Sequence, residues 1–506
     1  MKIITIKCAP ERNKKYKNGF APGISPRKMF RWARLLMLAG ILASCQKFVQ
    51  APAPVTTLSS ENTYTSVSTA AAVLDGIYIA LNPSATNDAG NAFSLSTSLL
   101  CGLSADEFSQ ISTAGTSLTQ YYTNGLTNQN GDLWNYAYPI IFNVNSAITG
   151  ISNSRSLPAT VKQQLLGEAQ FVRAFLYFYL ANLYGPVPLV LTTTPQANAT
   201  LTRAPVNQVY QQIISDLTAA QSELGQQFLD GTIQNASTSR SRPSYWAATA
   251  LLARVYLYNG YVTGDNSNFT NAVSESSTLI KNTTLFGLSS LEAVFLKASL
   301  GNKEAIWQLE PTVAGYPTSE AREFIIPATG PSDSYPVWLS NNLVNAFEPG
   351  DLRKTQWVNS VTTGGTTYYF AYKYKNNILN STINEYSDIF RLGEQYLIRA
   401  EAEAKLNNIS GARADLNAIR DRAGLPNTTA VTQNDLLIAI LHERRVEFFT
   451  EMGHRWLDLK RMGAVNSVMS TVATEKGGTW NANDALYPVP ATDLQTDPNL
   501  RQNPGY

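Results

Sequence analysis

Cysteine and histidine are nearly missing from this chain: three and two among 506 residues. Cys8 and Cys45 lie close to the N-terminus, which leaves Cys101 as a lone thiol in the apolar stretch Ser98-Leu-Leu-Cys-Gly-Leu103. That is the setting of a buried, inert side chain rather than a nucleophile. His442-Glu443 opens like the zinc motif H-E-x-x-H, but Val446 stands where the second histidine is needed. The other histidine, His454, does not share a helical face with it by simple periodicity. Zinc chemistry is therefore poorly supported, and no metal or cofactor is expected. No G-x-S-x-G elbow, P-loop or dinucleotide fingerprint is present. Charged residues are also scarce, at 15%.

What charge there is divides unevenly. Lys2 to Arg34 holds ten Lys/Arg and one acid, Glu11. The apolar run Leu35–Ala43 that follows is too short to span a bilayer. A basic region, a short apolar region and small residues make a signal peptide over 1–44. Met29-Phe-Arg-Trp-Ala-Arg would itself open such a peptide, so 1–28 reads as an over-extended start. Removing the leader from 39 basic and 37 acidic residues leaves 29 and 36, a formal charge of −7. An acidic chain without a basic run excludes nucleic acid as an expected partner. It equally disfavours recruitment by anionic lipid, so any membrane link has to be covalent. Leu42-Ala-Ser-Cys45 resembles the bacterial lipobox, which makes Cys45 the expected lipidation site. Residues 45–57 then form a polar, Pro-rich tether.

The folded part reads as mostly helical. Apolar residues recur at three and four in Ala159–Tyr184, which stops at Gly185-Pro186. Further helices are expected over 68–81, from Gly131 onward, and over 206–224, 244–259, 269–280, 392–406, 410–422 and 435–451. Ala400 and Ala404 let helices approach closely, as in stacked tetratricopeptide-like pairs, although no clean repeat is visible. The stretch Leu436–Gly463 is dense in both charge and aromatics. Leu437, Leu441 and Phe448 share a face by periodicity, and glutamates crowd the same turns. Arg444, Glu447, Arg455 and Asp458 are expected to act as structural ion pairs within it.

Two regions read as irregular: 108–134, and about 311–386. Loops on a rigid scaffold carry recognition, and these are rich in rings. Tyr121, Tyr122, Tyr335, Trp338 and Trp357 are the candidate ligand contacts. Trp338 comes first, because Pro336 stiffens its presentation. The adjacent acids Asp106-Glu107 read as capping or solvated residues. A glycosidase carboxylate pair is a three-dimensional feature that sequence leaves open.

Several segments together are similar to the RagB/SusD family of outer-membrane lipoproteins of Bacteroidota. Glu443-Arg-Arg-Val-Glu-Phe448, then Glu451-Met-Gly-His-Arg-Trp456 and Asp458-Leu-Lys-Arg461, follow its C-terminal signature, with Met452 as the departure. Arg173 to Pro188, Asn345 to Arg353 and the terminus Asn499-Leu-Arg-Gln-Asn-Pro-Gly-Tyr506 match in family order. The resemblance implies an all-α, SusD-like fold: helix pairs forming a scaffold, with long loop regions bearing the ligand surface. It divides the chain into an N-terminal region, 58–240, and a C-terminal region, 241–506. It implies a nutrient-binding protein facing outward from the outer membrane, not an enzyme. Such a protein captures oligosaccharide or peptide and passes it to a SusC-like TonB-dependent transporter. A surface glycoside hydrolase and a non-catalytic protein-interaction scaffold are the alternatives.

Overall fold

Pro158 and Gly185 bracket the longest helix among the described residues. The computed structural model describes residues 63–83 and 92–506. In it Ala159–Tyr184 is one helix of 26 residues, with Pro158 at its N-terminal boundary, where a missing N–H costs nothing. Gly185 follows at φ +73°, a conformation that favours glycine. Leu165, Ala169, Val172, Leu176, Leu180 and Leu183 are all buried. The expected leader, Cys45 and the tether lie outside the described residues.

The fold is mostly helical. After α1 (Val67–Leu81), α2 (Phe93–Ser104) and α3 (Thr116–Tyr122) comes a longer run. It comprises α4 (Asp132–Asn153), α5 (Ala159–Tyr184), α6 (Val206–Glu223), α7 (Tyr245–Thr263) and α8 (Asn266–Ile280), each packing on the next. α9 (Leu392–Lys405) packs on α8 although residues 281–391 intervene, and α10 (Ile409–Arg422) packs on α9. α11 (Gln433–Glu447), α12 (His454–Arg461), α13 (Val465–Glu475) and α14 (Ala491–Thr496) complete the set, with a few short helical turns besides. Ala400, Ala404, Ala412, Leu416, Leu436 and Ile440 form a closely packed apolar cluster where α9, α10 and α11 meet. The architecture is the tetratricopeptide-like stacking of helix pairs. Among the described residues no helix is long and apolar enough to cross a membrane.

Among the described residues four two-stranded antiparallel sheets decorate this stack. β1 (Phe108–Gln110) pairs with β5 (Val337–Leu339), and β2 (Val187–Pro188) with β3 (Arg203–Ala204). β4 (Ala305–Leu309) pairs with β8 (Ser387–Arg391), and β6 (Val358–Thr363) with β7 (Thr366–Ala371).

Two regions hold more regular structure than expected, and two expectations for α11 need correction. The loop-rich stretch 311–386 also holds β5, the β6–β7 hairpin and several short helices. Its turn is Gly364-Gly365, both at positive φ, flanked by strands rich in Thr, Tyr and Val. The region 108–134 likewise contains β1 and α3. The helix expected over 435–451 ends at Glu447, because Thr450, Met452 and Gly453 all take positive φ and turn the chain into α12. The buried face of α11 is also shifted by one residue from the expected one. Leu436, Ile440, Glu443, Arg444 and Glu447 are inside, whereas Leu437 and Leu441 are half-buried. Charge pairing, not apolar periodicity alone, sets that face.

Candidate functional site

β1 and β5 alternate as a half-buried sheet should. Val337 and Leu339 are each 1% exposed, while Trp338 between them is half-buried. The register sets Ser109 opposite Trp338, so both side chains stand on the same outer face. Tyr368 of β7 meets the Trp338 ring edge-on, 5.0 Å between centres and 84° between planes. The Tyr122 hydroxyl bonds Ser109 from the end of α3. Lys476 Nζ sits 5.2 Å from the Tyr122 ring centre and donates to Leu103 O and Ala105 O, each at 2.8 Å. It thereby satisfies carbonyls left open at the end of α2.

Beside these rings is a cavity of about 170 Å3, lined by Ser109, Tyr122, Asn341, Asn342, Glu475 and Lys476 among others. Asn342 Nδ2 donates to Glu475 Oε2 at 2.8 Å. The approach from Tyr335 is pinned. Tyr335 and Ser332 exchange backbone bonds of 2.9 and 3.1 Å, and Thr113 Oγ1 donates to Asp333 Oδ1 at 2.8 Å. The result is a part-exposed indole with amide, hydroxyl, carboxylate and ammonium groups within one surface. Such a surface stacks on a flat apolar face and hydrogen-bonds around its edge.

Trp338, opposite Ser109, and Tyr122, bonded to Ser109, meet there, whereas Tyr335 enters through the backbone turn it closes with Ser332. Tyr121 and Trp357 are not, and the expectation for both is corrected: each is 0% exposed. Tyr121 turns inward, donating to Asp132 Oδ2 at 3.1 Å and packing edge-on against Tyr487. Trp357 donates from its indole N–H to Leu291 O at 2.8 Å, and Lys373 Nζ covers its ring at 5.1 Å. The sequence reading gave no role to Ser109, Asn341, Asn342, Glu475 or Lys476. Tyr368 stood only among the ring-rich residues, although the Gly-Gly turn and the flanking alternation mark its strand.

The charged residues of α11 and α12 fall into three buried clusters rather than one network. Glu447 meets Arg353 at 2.9 Å, Arg391 at 2.5 Å, and Arg422. Arg391 also holds Glu304 at 2.9 Å and Glu451 at 2.8 Å. Burial pushes the Glu447 carboxyl up, but Arg422, Arg391 and Arg353 outweigh it and hold it well below the usual range. In the second cluster Arg444 pairs with Asp458 at 2.6 Å, and Arg461 bridges Asp458 to Glu401. In the third, Arg455 and Arg445 each reach Asp106 at 2.8 Å.

That third cluster overturns the solvated reading of Asp106-Glu107, which are 3% and 1% exposed. Burial would raise the Asp106 carboxyl, yet Arg455 and Arg445 hold it below the usual range. Glu107 has no such partner: its Oε1 lacks a hydrogen bond. Burial, then the charge of Asp106, pushes its carboxyl from 4.5 up to about 8. Between those values the folded state keeps a proton that the unfolded state has released. The contribution of Glu107 to stability is therefore fully present below pH 4.5 and is lost as pH rises towards 8. Glu107→Gln should remove that dependence, raising the melting temperature more at pH 8 than at pH 5. An equal shift at both values would show that Glu107 is ionised throughout.

Among the described residues no group of three or more His, Cys, Asp or Glu is placed to hold a metal ion. His454 stacks on Phe448 and faces Arg444 at 3.2 Å. His442 lies 3.6 Å from Glu348.

A stack of helix pairs bearing a small sheet with part-exposed rings defines a helical scaffold with an aromatic outer face. Residues 57–257 match a family model described as starch-binding associating with outer membrane, and residues 296–506 match the model of the SusD family. The chain belongs to the RagB/SusD family. It is 27% identical to SusD-like protein P2 of Formosa agariphila, over 90% of this chain and 95% of that one. Its fold is similar to that of a SusD superfamily protein from Bacteroides vulgatus, with a TM-score of 0.73 at 20% identity. That match covers 88% of this chain and 100% of the other. It is also similar to a laminarin-binding SusD-like protein, with a TM-score of 0.68 at 22% identity, covering 86% and 99%.

Proposed function

We propose that this chain is an outer-membrane, lipid-anchored glycan-binding protein. It captures oligosaccharide outside the cell and passes it to a SusC-like TonB-dependent transporter. The observation that carries this reading is the Trp338–Tyr368 pair on the outer face of β1/β5, beside a cavity lined by amides and charged groups. Sugar rings offer apolar C–H faces to a flat indole and hydroxyls to the groups at its edge. The description of the family matched by residues 57–257 supports starch-like ligands and the outer membrane. The laminarin-binding relative supports a neutral glucan. Asp106 lines that cavity but is 3% exposed and held by Arg455 and Arg445, and Glu107 is 1% exposed, which favours binding over hydrolysis by that pair.

Calorimetry of the wild type against a glycan panel and a peptide panel tests the ligand class. A glycan should bind, and Trp338→Ala should weaken it at least about tenfold, since truncating an anchoring aromatic ring commonly costs about 2 kcal/mol or more. Undiminished affinity in a folded Trp338→Ala variant would remove Trp338 from the site, and peptide binding alone would replace the ligand class. The anchor is tested separately. Cys45→Ala should move the protein from the membrane to the soluble fraction in cells lacking the transporter. Retention on the outer membrane in that variant would assign the anchor elsewhere.

A further inference from the structure

A second cavity, of about 360 Å3, opens where the first turns of α4 face α14. It shares no lining residue with the Trp338 surface. Its walls are apolar: Trp134, Tyr138, Pro188, Val190 and Leu500. Its polar edge carries Asp493 and Asp497, four residues apart. Asp493 lies in the first turn of α14, where its charge suits the helix dipole, whereas Asp497 lies just past the helix end, where it opposes it. Neither forms an ion pair with a described residue.

The donors around the cavity are largely engaged. The Trp134 indole N–H goes to Asp493 Oδ2. The Tyr138 hydroxyl donates to Pro188 O at 3.0 Å, and the Thr496 hydroxyl to Thr492 O at 3.1 Å. One Asn198 amide hydrogen goes to Thr192 O at 2.8 Å. Arg203, whose charge reaches Tyr138, is held on Tyr184 O, Pro186 O and Asn503 Oδ1. What the cavity still offers is acceptors. Asp497 takes the Asn499 N–H at 2.9 Å through Oδ1, which leaves Oδ2 for a ligand.

An apolar pocket edged by carboxylate acceptors complements a group that only donates, carries positive charge and arrives on an apolar stem. We propose that this cavity binds an alkyl-ammonium group. Two sources share that chemistry, an amino sugar and a lysine side chain. The site goes beyond the glycan reading of the Trp338 surface and is independent of it.

The test follows by ligand-observed NMR the titration of the full folded chain carrying Trp338→Ala, so that no sugar is read at the glycan surface, with two matched pairs of probes. One pair is glucosamine and glucose; the other is Nα-acetyl-lysine amide and its Nε-acetylated form. The cationic member of at least one pair should bind, and its neutral counterpart at least about tenfold more weakly. The responding pair identifies the source. Asp497→Asn added to that background, which keeps the bond to Asn499, should weaken the cationic probe about tenfold. Should Asp497→Asn fail to fold, the Trp134 indole N–H resonance of the wild type decides instead: it shifts with the cationic probe only. Absence of cationic binding, equal binding of a neutral counterpart, or full binding by a folded Asp497→Asn overturns the proposal. Each of these results is separable from failure of the glycan site, which is read by neutral glycan binding and Trp338→Ala.

Discussion

Glu447→Ala is expected to destabilise the fold by about 3–5 kcal/mol, the usual cost of removing one partner from a buried ion cluster. Three guanidinium groups converge on this carboxylate, from Arg353, Arg391 and Arg422, and the side chain is fully buried. Their own elements are far apart in sequence: Arg353 precedes β6, Arg391 ends β8 and Arg422 ends α10. Losing Glu447 leaves three desolvated cations with fewer anions among them. Glu447→Gln should cost less, since it keeps an acceptor for one guanidinium. Chemical denaturation of both variants measures the effect, with ligand binding by the surviving folded fraction unchanged. Wild-type stability with lost binding would mean that the cluster is a ligand site and not part of the scaffold.

Gly453→Ala should be of similar size, for a different reason. Gly453 has φ +69°, and a Cβ placed there would lie 2.8 Å from Cys101 Cβ and 3.0 Å from its Sγ. The left-handed conformation costs a side chain about 1–2 kcal/mol and forced overpacking about 1–3 more. The turn also holds α2, through Met452 N–H to Ser98 Oγ at 2.8 Å. Because α2 leads directly into β1, a displaced α2 would move Ser109 opposite Trp338. Gly453→Ala is therefore expected to lower the melting temperature and weaken ligand binding together. A melting temperature within a degree of wild type would show that α2 and the turn have room the geometry denies.

Legibility in the sequence followed the range of the forces involved. α5 was readable to the residue because its core positions repeat within the helix and Pro158 and Gly185 punctuate it locally. The end of α11 was not. Apolar and charged residues continue past Glu447, and the three left-handed residues that stop the helix include only one glycine. The Thr, Gly and Tyr of hairpin β6–β7 read as loop composition, although Gly-Gly between alternating strands is a local signal.

The rings of the candidate site show the harder limit. Trp338 and Trp357 sit in similar sequence, yet one is half-buried and the other fully buried. Leu291 and Lys373, distant along the chain, decide the fate of Trp357. The partners of Glu447 were hidden for the same reason. The local glutamates and arginines of α11 were visible, but Arg353, Arg391 and Arg422 come from other elements. Asp106-Glu107 looked solvated because two adjacent acids usually are. Only Arg445 and Arg455, more than three hundred residues later, make Asp106 a buried anion.

The central claim is that a glycan is held on the outer face of β1/β5 by stacking on Trp338. The most direct measurement is a crystal structure of the protein with the oligosaccharide that binds best in calorimetry. A sugar ring should lie against the Trp338 indole, with hydroxyls reaching Ser109, Asn341 or Asn342. An oligosaccharide ordered elsewhere, with the Trp338 ring uncovered, would contradict the account.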